Sequence, residues 1–281
     1  MSVSPVYRPH PEAPATTHLS PFEAKHAWAG LRADRFEIVS RGDFVAGILY
    51  RPPAPSTAAA PTAAAPTAAA PLVILQHGLG GSKESPYLEC AARWVREGFA
   101  VASIDLPLHG ARSSPKLSAR LVAGMERIGR DEELDPETAA LVEEFARQST
   151  SDLVRTIDAL ASLDEIDAER IGFVGFSLGS MVGTYLLAHD TRPSVAVFAL
   201  AGGGHGPADL DPARYIARAG ERPMLFVSAK GDERVSNESS RALFEAAVGP
   251  KEFIEVAGDH GSLPGEALAK IQSFLKQGLA R

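Results

Sequence analysis

Residues 171–189 read IGFVGFSLGSMVGTYLLAH, and the order of residue types in this stretch decides the fold. Ile171–Val174 is a short continuous apolar run, the pattern of a strand buried on both faces. Leu178–Ala188 reads as a helix. Between them lies Gly175-Phe176-Ser177-Leu178-Gly179, a G-x-S-x-G pentapeptide placed where the strand turns into the helix. A turn that sharp strains the residue at its apex and lifts the Ser177 hydroxyl above the strand ends. Gly175 and Gly179 remove side chains that would collide with the neighbouring strand and helix. A plain βα turn whose Ser caps the helix would use similar residues. The strand–turn–helix context favours Ser177 as a nucleophile.

Working outward, the same alternation continues in both directions. Phe36–Val39 and Val45–Tyr50 flank Arg41-Gly42-Asp43 and read as a hairpin. Strands are expected at Leu72–Leu75, Phe99–Ile104, Val195–Leu200, Met224–Val227 and Phe253–Val256. Helices are expected at Tyr87–Arg96, Leu153–Ala161, Glu238–Ala247 and Gly265–Leu275. Repeated β-α-β units joined by right-handed crossovers predict one doubly wound, mostly parallel sheet with helices on both faces. The stretch 113–148 is too long for a normal connection. It is expected to be a helical lid at the carboxyl side of the sheet, with helices at Leu117–Ile128 and Pro136–Arg147 and an N-cap at Asp135. Residues 1–33 are expected to form an irregular arm and 34–281 one domain. Within that domain, 53–71 is a Pro/Ala-rich exposed loop in which Thr-Ala-Ala-Ala-Pro occurs three times in tandem.

Composition removes several classes of function. The chain has 281 residues, 45% of them hydrophobic, and a net charge of −7. Such a chain can bury a large core and presents no general field for nucleic acid or anionic membrane. No apolar run approaches the roughly 18 to 20 residues of a membrane helix, and no secretory leader is evident, so a cytoplasmic protein is expected. Cys90 is the single cysteine, which rules out an internal disulfide. His10, His18 and His26 recur evenly in the arm, but a metal site would need further ligands brought together by the fold. No metal or organic cofactor is expected, and oligomeric state is not legible.

A serine nucleophile needs a base, and the base needs an orienting acid; in this architecture they follow in the order Ser, acid, His. Of the downstream histidines, His189 ends the helix after Ser177 and points away from the strand tips. His205 lies in a Gly-rich loop and is a secondary candidate. His260, in Gly258-Asp259-His260-Gly261 after the last strand, is the expected base. Asp232, just beyond the preceding strand, is the expected acid, with Glu233, Asp209 and Asp211 as alternatives. Asp259 is passed over because a sequence neighbour rarely points at its own imidazole. An oxyanion needs two preorganised donors. Leu178 N–H, at the helix start, is one, and Leu79 N–H, within His77-Gly78-Leu79-Gly80-Gly81, is the other. Phe176, His109, His205, Met125 and Phe145 are expected to line the pocket.

This set of residues resembles the α/β-hydrolase family over roughly residues 36–279. The resemblance implies an eight-stranded, mostly parallel sheet with the second strand antiparallel. Asp105-Leu106-Pro107-Leu108-His109-Gly110-Ala111-Arg112-Ser113 is similar to the family's D-x-x-G-H-G-x-S loop, with Leu108 in place of its first Gly and an extra Arg112. Asp105 and His109 are therefore expected to be structural, and the loop to edge the pocket. Loop and lid are most similar to the dienelactone-hydrolase-like and prolyl-oligopeptidase-like branch. The former uses a Cys nucleophile where this chain has Ser177, so lactone specificity is not implied. The expected activity is hydrolysis of a small-molecule acyl ester through an acyl-enzyme. A thioesterase, small amidase or peptidase, or acyltransferase would use the same residues. A ligand-binding protein with catalysis lost is the alternative from another class, and the availability of all three members argues against it.

Overall fold

A computed structural model of the chain describes residues 6–7, 17–53 and 69–280. Its nine strands are β1 (His18–Pro21), β2 (Arg32–Ser40), β3 (Asp43–Arg51), β4 (Ala70–Gln76), β5 (Ala100–Ile104), β6 (Ile166–Phe176), β7 (Pro193–Ala199), β8 (Met224–Ala229) and β9 (Lys251–Val256). They form one sheet in the order β1-β2-β3-β5-β4-β6-β7-β8-β9. The β1–β2, β2–β3 and β3–β5 pairs are antiparallel, and all others are parallel. The α-helices are α1 (Ala92–Arg96), α2 (Pro115–Gly129), α3 (Pro136–Leu160), α4 (Leu178–His189), α5 (Pro212–Ile216), α6 (Asn237–Ala246) and α7 (Gly265–Gly278).

The continuous apolar strands are continuous because both faces are covered. Along β4, Leu72 and Ile74 enter one core with Leu153 and Ile157 of α3 and Val182 and Leu186 of α4. Val73 and Leu75 enter the other with Trp94 and Val95 of α1 and Ile271 and Leu275 of α7. Successive side chains of a strand point to opposite faces, so one apolar run feeds two cores. The β2–β3 hairpin closes through Arg41 (φ +50°) and Gly42 (φ +80°), with Ser40 paired to Asp43. Two successive positive φ values make a type I′ turn, whose twist matches that of paired strands.

Three expectations are corrected. The sheet has nine strands rather than eight, because β1, from the segment expected to be irregular, pairs with β2 from His18↔Glu37 to Pro21↔Asp34. Its pairing covers the row of backbone groups that β2 would otherwise leave open as an edge. The helix expected at 136–147 does not stop there: α3 runs unbroken to Leu160 and includes the stripe expected as a separate helix. No Gly or Pro interrupts 148–153, and the hydroxyls of Thr150, Ser151 and Thr156 bond back to the carbonyls of Ala146, Arg147 and Asp152. The second helix of the 113–148 stretch is thus the beginning of a helix that packs on the sheet. Asp135 caps α3 as expected, accepting from Thr138 N at 3.0 Å. Finally, β4 begins at Ala70 rather than Leu72, because Ala70 N reaches Glu165 O at 2.8 Å.

Most of the Thr-Ala-Ala-Ala-Pro tract, residues 57–68, lies outside the described residues, as does His10. Its flanks are described. Tyr50 of the antiparallel β3 pairs with Val101 near the start of β5, and Leu72 of β4 pairs with Ala100. Both described flanks of the tract therefore lie at the amino edge of the parallel strands. Closure entropy changes by roughly 0.6 kcal/mol per doubling of loop length. Deleting two of the three repeats is expected to shift stability by under about 1 kcal/mol, read as a denaturant midpoint. A larger loss would show that the tract packs on the fold.

Candidate active site

At the carboxyl end of β6 the chain turns into α4 through Ser177, whose backbone stands at φ +53° and ψ −117°. A non-glycine residue holds such a conformation only where its surroundings impose it. A methyl on Gly175 would sit 2.5 Å from Ser180 N, and one on Gly179 2.4 Å from Gln76 O. The glycines thus let α4 start against β6 and β4. Ser177 N donates to Ala199 O at 2.8 Å, and Ser180 Oγ donates to Gly175 O at 2.7 Å. The hydroxyl is left at the apex.

His260 Nε2 lies 2.8 Å from Ser177 Oγ. On the other side of the ring, His260 Nδ1 lies 2.9 Å from both carboxylate oxygens of Asp232. Asp232 follows β8 and His260 follows β9, and the two loops touch directly: Gly231 N donates to Gly258 O at 2.9 Å. A methyl on Gly231 would be 2.7 Å from that oxygen. The Asp232 side chain is 2% exposed and that of His260 16%, so the carboxylate sits behind the imidazole, away from solvent. Burial by itself would raise the Asp232 carboxyl. Hydrogen bonds from His260 and from the backbone N–H of Val235 and Arg234 outweigh it and hold the carboxyl below its usual range.

The alternatives are engaged elsewhere. Asp211 caps α5 through Ala213 N at 2.9 Å and accepts from Gly204 N at 2.8 Å. Asp209 pairs with Arg214 at 3.6 Å, and Glu233 is exposed. Asp259 accepts from Gly261 N within its own loop at 2.8 Å. His205 Nδ1 meets Ser239 Oγ at 3.0 Å, and the His189 ring lies 5.1 Å from that of Tyr7. Cys90 is held in a 3-10 turn, where burial pushes its thiol up to about 12.

Leu178 follows Ser177 in the chain, and Leu79 borders the same cavities as Ser177. Neither backbone N–H takes an acceptor among the turn, loop and cap bonds of the described residues. His77, buried beneath this loop, donates from Nδ1 to Gly78 O at 2.8 Å and accepts at Nε2 from Leu106 N at 3.2 Å. A proton on Nε2 would face another N–H. With burial the larger cause, the ring's pKa falls to about 4. Below about pH 6.5 the unfolded chain takes a proton that the folded chain refuses until about pH 4. Stability is therefore expected to fall as pH drops through that window, by up to about 3 kcal/mol. Asp152, pushed by burial up to about 6, acts in the opposite sense. The readout is thus the difference between wild type and His77→Asn in urea midpoints from pH 7.5 to 4.5. Parallel pH profiles would exclude the effect.

Two cavities border Ser177. The larger, about 780 Å³, is lined by Met125, Ile128, Val142, Met181, Leu200 and His205, among others. The smaller, about 430 Å³, is lined by Gly78, Tyr87, Phe176, Leu263 and Leu268, among others. Leu79, Ser177, Leu200, Arg234 and His260 border both. Of the residues expected in the pocket, Met125 and His205 line the larger cavity and Phe176 the smaller, whereas His109 and Phe145 line neither. Both are buried, and their rings lie 5.9 Å apart where the loop after β5, which carries His109, meets α3. Phe145 packs in the core cluster that α3 shares with the sheet, one turn beyond Val142, which borders the larger cavity. Asp105 is structural as expected: it accepts from Lys83 N, Lys83 Nζ and Ala111 N at 2.8–2.9 Å. Nothing in the local sequence of Tyr87 or Arg234 signals their approach to Ser177. Among the described residues no group of three or more His, Cys, Asp or Glu could hold a metal ion, and no helix is long and apolar enough to cross a membrane.

The family described as alpha/beta hydrolase fold matches residues 71–220. No curated protein matches the chain in sequence. Among solved structures, a cold-adapted esterase from an Arctic intertidal metagenomic library superposes with a TM-score of 0.69 at 24% identity, covering 89% of this chain and 94% of its own. An acetyl xylan esterase from a Paenibacillus species gives a TM-score of 0.71 at 17% identity, covering 95% and 90%. The acylaminoacyl peptidase of Pyrococcus horikoshii gives 0.67 at 14% identity, covering 89% of this chain and 42% of its own.

Proposed function

The chain belongs to the α/β-hydrolase fold family, and from that premise we propose that it is a serine hydrolase of carboxylic esters working through an acyl-enzyme. The observation that carries the reading is the continuous line Asp232–His260–Ser177, with contacts of 2.9 and 2.8 Å. His260 Nε2 removes the Ser177 proton as Oγ attacks the ester carbonyl. Asp232 holds Nδ1–H and stabilises the imidazolium. The N–H groups of Leu79 and Leu178 receive the oxyanion. His260 then passes its proton to the departing alkoxide. A water deprotonated by the same nitrogen attacks the acyl-enzyme, and Ser177 regains its proton as the acid leaves. The cold-adapted esterase and the acetyl xylan esterase that superpose on this chain support the ester over other acyl substrates.

The test is labelling by a fluorophosphonate, lost in Ser177→Ala, followed by a panel of aryl esters and acyl thioesters of graded chain length with matched anilides. Faster turnover of thioesters or anilides than of esters would reassign the substrate class. No labelling and no turnover would favour a binding protein.

The two cavities also separate two variants. Met125 borders the larger space, so Met125→Ala is expected to shift chain-length preference while leaving acetyl-ester turnover within about threefold. Phe145 is 2% exposed and packs in the core, so Phe145→Ala is expected to cost about 3–5 kcal/mol of stability with selectivity unchanged. Selectivity profiles and thermal unfolding of both variants check this. A changed acyl preference in Phe145→Ala would place that ring in the pocket after all.

A further inference from the structure

The loop after β4 holds a contact that the reaction steps above do not use. The Tyr87 hydroxyl accepts the backbone N–H of Gly78 at 2.7 Å. The carbonyl of the same glycine is taken from elsewhere: Gly78 O accepts from His77 Nδ1 at 2.8 Å and from Gly81 N at 3.1 Å. In a trans peptide, C=O and the following N–H point in opposite directions. Holding Gly78 O therefore directs Leu79 N–H, and holding Gly78 N–H restrains the remaining rotation of a residue that has no side chain to restrict it. There is little slack. A methyl on Gly78 would lie 3.2 Å from Ser177 Cβ, and one on Gly81 only 2.8 Å from the Tyr87 hydroxyl. The Tyr87 ring also meets that of Phe176, the residue before Ser177, edge-on at 5.7 Å between centroids. One side chain thus touches both the loop of Leu79 and the turn of Leu178.

We propose that Tyr87 is a positioning residue for the oxyanion site: its hydroxyl, bonded to Gly78 N–H, sets where Leu79 N–H points relative to Leu178 N–H. This rests on the hydrolase reading above. Tyr87 is 40% exposed, so Tyr87→Phe removes one oxygen and leaves the ring contacts in place.

The experiment measures kcat and KM on acetyl and butyryl aryl esters, together with inhibition by a trifluoromethyl ketone, whose adduct with Ser177 carries the oxyanion. Removing an oxyanion donor outright costs roughly 10²–10³ in kcat. Misdirecting one is expected to cost about 10- to 100-fold, with KM within about twofold and ketone affinity falling in step with kcat. Gly81→Ala, whose methyl would displace the hydroxyl, should move kcat the same way. Unchanged kcat in Tyr87→Phe, a change in KM alone, or a loss of kcat with undiminished ketone affinity overturns the proposal and leaves Tyr87 as cavity wall. Absent wild-type turnover, or turnover that survives Ser177→Ala, would sink the hydrolase reading itself and this proposal with it.

Discussion

Ser177→Ala is expected to lower kcat by roughly 10⁴- to 10⁶-fold while the protein stays folded. The hydroxyl lies at the apex of a turn held by other groups: Ser177 N on Ala199 O, and Ser180 Oγ on Gly175 O and Ala199 O. Removing one oxygen leaves all of these in place and leaves the Asp232–His260 contacts intact. Thermal unfolding should therefore coincide with wild type. The backbone N–H groups proposed to receive the oxyanion and the cavities also survive, so a residual rate above that in water is expected. Steady-state kinetics on an aryl ester is the measurement, and activity within about tenfold of wild type would remove Ser177 from the chemistry.

Asp232→Asn is expected to cost roughly 10⁴-fold in kcat, for a reason written in its hydrogen bonds. Oδ1 of Asp232 accepts from the backbone N–H of both Arg234 and Val235, at 2.9 Å each. An asparagine would keep its carbonyl oxygen there and turn its NH₂ toward His260. The ring's Nδ1 would then have to accept, which moves the proton to Nε2, facing Ser177 Oγ. A base whose reacting nitrogen already carries a proton cannot take another. The effect is thus a wrong tautomer with nearly unchanged geometry, and stability should change far less than kcat. A nearly silent Asp232→Asn beside a severe loss in Asp211→Asn would move the acid to the loop after β7.

The alternation of apolar strands and amphipathic helices was enough to specify a doubly wound sheet, because covered strands must be apolar throughout and crossover helices must not. Each nucleophile, base and acid candidate was legible for a related reason. The chemistry restricts residue types, and the fold restricts them to loops after successive strand ends. Ser177, Asp232 and His260 each follow an apolar run with a glycine nearby. Chain order therefore singled them out as candidates, and the fold places them within hydrogen-bonding distance of one another.

Other features depended on what lies across the molecule. Nothing in His18–Pro21 marks a strand; it becomes one because β2 offers an open edge. Phe145 and Met125 sit on neighbouring helices with similar apolar patterns, and only the packing of α3 against the sheet buries the first and leaves the second at the cavity. Tyr87 stands nine residues beyond Gly78, a separation that carries no distance; its bond to Gly78 N exists because the loop folds back on itself through Gly81. The sequence by itself determined the layers, the order of the elements and the residue types at the strand ends, since these follow from periodicity and from what each reaction role demands. Which side chains face the cavity, which edge gains a strand and what holds the Leu79 loop were decided by tertiary structure, because contacts between distant segments leave no period in the chain.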